Sequence, residues 1–177
     1  GCVVLPGFVT LHPALSARLD QWGYRADAFP LAPACASLDR AQIASGVELA
    51  RFFEGETERA ILLRLDAPPG FTPGALVTML TVWRTEAPSD VPLRIFLHLT
   101  DASGNIVAQS DVLGVPSTQW RMGDVFVQAH DLSLPAGAPP GPYSVNLGLY
   151  APESGMRLAV SGEGSQGGTL RYLLSEP

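Results

Sequence analysis

Between Pro92 and Leu158 apolar and polar residues alternate with a period of two, broken at regular intervals by turn residues, and nothing else in the chain constrains its fold as strongly. The segments PLRIFLHLTDASGNIVAQSD, WRMGDVFVQAHDLSLP and PPGPYSVNLGLYAPESGMRL carry the pattern. Successive side chains of a strand point to opposite faces, so alternation marks strands with one face toward a core. In VPLRIFLHLTD, Val91, Leu93, Ile95, Leu97 and Leu99 fall on one side, and Arg94, Phe96, His98 and Thr100 on the other. Short strands spaced this way by Gly, Pro, Asn and Asp specify an antiparallel β-sandwich.

The flanking segments extend the pattern. ERAILLRLDAP reads as a strand entering the turn PPGFTPG, and ALVTMLTVWRT is apolar on both faces, as a central strand is. Asp101–Asn105 reads as a tight hairpin turn, and PAGAPPGP as a loop. YSVNLGLYAP and MRLAVSG are expected to pair as a hairpin joined at PESG, with TLRYLLSE closing the sheet after the loop GEGSQGG. The count is seven or eight strands. With 46% apolar and only 16% charged residues the chain has ample material for a core. Residues 1–57 read as an irregular extension packing on a sandwich domain at 58–177. That extension holds one short helix, capped by Ser37 and running to about Ala44, and a strand near Val47–Phe53.

The entry GPYSVNL resembles the tyrosine corner of immunoglobulin-like sandwiches, in which a strand-opening Tyr bonds back to upstream backbone. Tyr143, Val145, Leu147 and Leu149 then share the inward face. The Cys that antibody domains carry two residues after this Tyr is replaced by Val145, so the kinship is architectural. The expected fold is thus all-β, an immunoglobulin-like or jelly-roll antiparallel β-sandwich with at most one short helix. Trp83 lies mid-strand in an apolar run and is assigned to the core with Leu80, Val82, Ile95 and Leu97.

The net charge of −6 argues against nucleic acid, which needs a basic footprint, and disfavours polyanions generally. All eleven basic residues are Arg. No stretch approaches the about 20 apolar residues of a membrane-spanning helix. No basic region precedes an apolar one at the start, so Gly1-Cys2 reads as a cut point with more chain upstream. Cys2 and Cys35 are the cysteines. In an exported domain they would pair, closing a loop worth roughly 3–4 kcal/mol, the alternative being two unpaired thiols.

Few residues speak for chemistry. Gly162-Glu-Gly-Ser-Gln-Gly167 matches a dinucleotide-binding glycine pattern, but a strand follows where a helix is required, so no cofactor is expected. Asp101, Ser103 and Asn105 alternate like the start of a calcium loop, yet the distal Glu is missing and a hairpin turn accounts for them. His12, His98 and His130 are too scattered for a zinc site, so no metal is expected either. No serine or cysteine nucleophile setting is recognisable. Among the aromatic residues weighed as sugar platforms (Trp22, Trp83, Trp120, Tyr150 and Tyr172), Trp120 is preferred because it sits in the turn STQWRMGD. Its polar neighbours Arg121 and Asp124 complete the expected binding site.

The order TVWR, IFLHLTDASGNIVAQSD, W-x-x-GD and LSLPAGAPPGPYSVNLGLYAPESGMRL resembles the C-terminal β-sandwich of bacterial membrane proteins related to the dolichyl-phosphate-mannose protein mannosyltransferases. Trp83, His98, Asp101, Gly104, Asp111, Trp120, Gly123, Pro135, Gly141, Tyr143, Gly148, Tyr150 and Leu158 carry it, over about residues 60–174. The catalytic part of such proteins is a multi-span membrane region, and no such region occurs in these residues. The resemblance implies an extracytoplasmic, non-catalytic accessory domain, tethered through a segment outside this sequence, with a glycan or an adjoining membrane domain as partner. The competing expectations are a purely structural or adhesive immunoglobulin-like module and, further off, a small hydrolase.

Overall fold

The computed structural model describes residues 48–68, 70–139 and 141–174 in full, together with the backbone of residues 3–4 and 35–36. Among the described residues there is no α-helix, and one 3-10 turn at Ser117–Gln119. Two sheets result. The first carries, in spatial order, β10 (Ala159–Ser161), β3 (Ala50–Glu54), β4 (Thr57–Asp66), β5 (Leu76–Thr85), β8 (Val125–Ser133), β1 (Val3–Val4) and β2 (Cys35–Ala36). The second carries β11 (Ser165–Gln166), β12 (Thr169–Leu173), β9 (Ser144–Tyr150), β6 (Arg94–Thr100) and β7 (Ile106–Val112). Pairing is antiparallel throughout, apart from a parallel contact of β1 with β8 at Val3 and Val125.

The sheet order is that of an immunoglobulin-like sandwich. β4, β5 and β8 take the A, B and E places of one sheet, and β12, β9, β6 and β7 the G, F, C and C′ places of the other. The tyrosine corner is formed: Tyr143 is buried just before β9, its ring edge-on to Phe71, and its hydroxyl donates to the carbonyl of Pro139. Val145, Leu147 and Leu149 follow it into the core, opposite Ile95, Leu97 and Leu99 of β6.

Two expectations are corrected. A division between residues 57 and 58 would cut the β3–β4 hairpin, because the expected strand near residue 50 is β3, a full member of the first sheet. The helix expected from Ser37, the Cys2–Cys35 pairing, His12 and Trp22 lie outside the described residues. Nor does the segment after Tyr150 form a full hairpin with β9. It makes one bridge, Tyr150 to Arg157, and Leu158 donates to Leu149 at 2.9 Å. The chain then crosses to pair β10 with β3. Leu158 is buried in the core at this crossing.

Trp83 is fully buried, tilted against Phe52 at 5.1 Å and stacked on Phe126 at 6.3 Å. A buried indole N–H needs an acceptor. It donates to Thr81 Oγ1 at 2.7 Å, and the same oxygen lies 2.9 Å from His130 Nε2 and 3.5 Å from the Gln128 carbonyl. His130 Nδ1 is buried without a partner, so we assign the Nε2–H tautomer. It donates to Thr81 and leaves only an acceptor unmatched, rather than an orphaned N–H. The far side of this sheet buries Ile61, Leu80, Val82 and Val127 as well, which fits the two-sided apolar reading of β5. At one end, buried Arg59 clips the β3–β4 hairpin to the loop before β6. It donates to Glu54 at 2.9 Å, to Asp90 at 3.4 Å and to the Pro88 carbonyl.

Trp83→Ala should cost roughly 3–5 kcal/mol in chemical denaturation, the range for removing a large core aromatic. Tyr143→Phe should cost about 1–3 kcal/mol by the same measurement, because the Pro139 carbonyl loses its donor. Burial holds the His130 pKa down to about 3, only partly offset by Asp131. The unfolded chain therefore takes up a proton below the ordinary histidine value and the folded one does not, so stability falls as pH drops from about 6.5 toward 3. Denaturation at pH 7 and pH 5 should show the wild type losing about 2 kcal/mol more than His130→Leu over that interval.

Candidate cleft at the β12 edge

Trp120, preferred from the sequence as a sugar platform, is only 3% exposed. It follows the 3-10 turn, packs on Phe126 at 5.8 Å, and donates its indole N–H to the Val115 carbonyl at 3.3 Å. Buried to this degree, the ring offers no face to a ligand. The neighbouring turn is structural too. The Arg121 carbonyl accepts from the Thr85 hydroxyl, and the Asp124 carbonyl accepts the Thr85 N–H at 2.9 Å. The Arg121 side chain is exposed and that of Asp124 half-buried, with no aromatic face between them.

The other weighed motifs resolve as turns. Asp101 Oδ1 accepts the Ser103 and Asn105 N–H groups at 2.9 and 2.8 Å, and Oδ2 accepts Asn105 Nδ2 at 3.1 Å. These bonds, that from the Asn105 side chain foremost, hold its carboxyl below the usual range and occupy the oxygens a cation would need. Among the described residues no group of three or more His, Cys, Asp or Glu could hold a metal. The glycine-rich stretch from Gly162 leads into the strand β12, and Gly164 has φ +80° with its carbonyl accepting the Arg171 N–H at 3.0 Å. A Cβ there would lie 2.4 Å from the Arg171 carbonyl, so this glycine serves a close backbone approach and not a phosphate.

That stretch instead walls a cleft of about 1200 Å³, whose lining includes Asn146, Arg157, Glu163, Gln166, Arg171 and Tyr172. Register explains the gathering. On β12 Leu170 enters the core opposite Leu147, so Arg171 points outward beside Asn146 of β9. Two residues along β9 from Asn146, on the same face, Gly148 pairs with Phe96 of β6. A Cβ at Gly148 would lie 2.5 Å from the Phe96 ring and 2.7 Å from the Gly168 carbonyl. Its absence lets Phe96, an outward residue of β6, lie flat and buried on the sheet. Arg157 stacks over that ring at 4.4 Å and donates to Thr169 Oγ1 at 2.9 Å, while Arg171 donates to Ser144 Oγ at 3.3 Å. Beside Phe96, at 5.1 Å, sits His98. Burial holds its pKa below the ordinary value, with Asp111 raising it and Arg157 lowering it further.

Tyr172, 38% exposed, is the aromatic residue of the lining; on β12 it alternates with Arg171 and pairs with Val145, so its side chain leaves the strand on the other face from Arg171 and Asn146. Glu48, also in the lining, is committed to Arg51 and to Arg84, the latter at 2.9 Å. Burial works to raise its pKa, and the hydrogen bonds from the two guanidinium groups outweigh that and lower it. The arrangement suits reversible binding through amides, guanidinium groups and a part-exposed tyrosine. Tyr172 was among the aromatics weighed from the sequence. Asn146, Arg157 and Arg171 were not singled out, although alternation in YSVNLGLY and TLRYLL turns Asn146 and Arg171 outward.

No protein-family model matches this chain, and no curated protein matches it either. Among the described residues no helix is long and apolar enough to cross a membrane.

Gly148→Ala should lower stability by about 1–3 kcal/mol, the range for overpacking, because the backbone carbonyl of Gly168 and the packed Phe96 ring both stand in the way. Urea denaturation tests this. A loss below about 0.5 kcal/mol would mean that the ring and loop yield freely.

Proposed function

We propose that this chain is a non-catalytic β-sandwich domain of an extracytoplasmic cell-envelope protein, and that it binds glycan through the cleft at the β12 edge. The observation that carries the reading is a cleft lined by Asn146, Arg157, Gln166 and Arg171, with the part-exposed Tyr172 also in its lining. Pyranose rings stack on aromatic faces, and neighbouring amides and guanidinium groups suit their hydroxyls. The resemblance to the C-terminal domains of mannosyltransferase-type membrane proteins supports the same setting, with the attachment to a membrane region lying outside this sequence. Trp120 has no part in this site.

A purely structural immunoglobulin-like module is the second reading, and the burial of Trp120 favours it. The two differ in a titration. A glycan array followed by calorimetry should find an oligosaccharide bound with a dissociation constant on the order of 0.1–1 mM, as befits an open site. Tyr172→Ala should weaken that binding about ten-fold or more, a change of about 1.4 kcal/mol. Trp120→Phe should lower stability and leave the affinity unchanged. Absence of any bound oligosaccharide would leave the structural module as the better account.

A further inference from the structure

We propose that the glycan taken by this cleft is anionic, with carboxylate or sulfate groups on its sugars received by Arg157 and Arg171; this rests on the glycan-binding reading above. The arginines of the described residues fall into distinct sets. Arg51, Arg59, Arg64 and Arg84 each hold one or more carboxylates at 3.4 Å or closer, and they brace the first sheet. Among the described residues Arg157 and Arg171 have no carboxylate partner. Arg94 and Arg121 are exposed and do not line the cleft.

What holds the two cleft arginines is neutral. Arg157 is spread on the Phe96 ring and spends one N–H on Thr169, and Arg171 spends one on Ser144. A guanidinium group carries several further donors in a planar fork, which match the oxygen pair of a carboxylate or sulfate. Thr169 and Arg171 stand two residues apart on one face of β12, about 7 Å along the strand. The guanidinium groups tied to that strand are therefore set in sequence along the cleft, as charges on successive sugars of a chain would require. Stacking on Phe96 orients Arg157 without neutralising it. The acidic groups of the lining are Glu48 and Glu163, and Glu48 is already held by Arg51 and Arg84. Among the described residues neither of these guanidinium groups is bonded to a carboxylate, so each keeps its charge for a ligand. On a chain of net charge −6 carboxylates are plentiful, and their absence at these two positions is explained by a ligand that supplies the anions.

The test uses the whole chain and tetrasaccharides as probes: galacturonic acid units for carboxylate, a heparin-derived fragment for sulfate, and mannotetraose as the neutral arm. Calorimetry should show one or both anionic probes binding at least ten-fold tighter than mannotetraose in 50 mM salt. That margin should shrink in 500 mM salt, where charges are screened. Whichever anionic probe binds tighter identifies the anion. Arg157→Gln and Arg171→Gln should each remove most of the margin, and Arg121→Gln should leave it intact. Arg157→Lys, which keeps the charge but not the fork, should retain part of it, and equal thermal midpoints would show that all variants are folded. Mannotetraose bound as tightly as the acidic probes would overturn the anionic assignment while keeping the glycan reading. No binding of any probe would overturn both, and inorganic sulfate binding as tightly as the tetrasaccharides would replace the glycan with a simple anion site.

Discussion

Burial of the Trp83 indole between Phe52 and Phe126 is the interaction on which the rest of the sandwich depends. The ring is large and apolar except for one N–H, and that group is satisfied by Thr81, two residues back on the same strand face. The Thr81 hydroxyl in turn must share itself with His130 and with backbone of β8, which holds β5 and β8 in register over their full length. A slip by one residue would turn Trp83 outward and leave the hydroxyl, the imidazole and the indole unmatched in a dry interior. Aromatic packing thus sets the thickness of the sandwich, and a small polar network sets the alignment of its central strands.

Away from that centre, the chain's habit of changing sheets decides where a site can form. β9 ends beside Arg157 by a single bridge, Leu158 is buried in the core, and β10 pairs on the opposite sheet. The chain then returns through the glycines before β12, and the space it encloses is the cleft. Gly148 is the permissive position, since without a side chain there the Phe96 ring and the Gly168 carbonyl approach close enough to seat Arg157. Trp120 does not line this cleft. Its turn is drawn inward by Thr85 and its ring fills the core against Phe126.

Charge shows the same separation of whole from part. The chain is acidic in sum, yet among the described residues carboxylates brace Arg51, Arg59, Arg64 and Arg84 of the first sheet, while Arg157 and Arg171 at the cleft are held by neutral groups. Net charge governs the long-range field and solubility, whereas recognition follows the few groups that face a ligand. A polyanion disfavoured by the sum is compatible with this one cleft.

Much of the fold was legible in the sequence because it follows from period-two alternation and turn chemistry, both local properties. The burial of Trp83, the inward face of β9, the Asp101 turn and the tyrosine corner at Tyr143 all rest on neighbours a few residues away, or on a strand's own pleat. The site was not legible in that way. A turn position made Trp120 look available, but whether its ring faces solvent depends on Phe126 and Val115, which only the packing of β8 and its preceding loop brings beneath it. Arg157 is seated by Phe96 and Thr169, residues from two other strands, at a place where alternation predicted a hairpin and the chain instead crosses sheets. By itself the sequence determined an antiparallel immunoglobulin-like sandwich and its core. The tertiary structure alone decided which aromatic ring is covered and which cations go unpaired, because both depend on contacts between strands far apart in the chain.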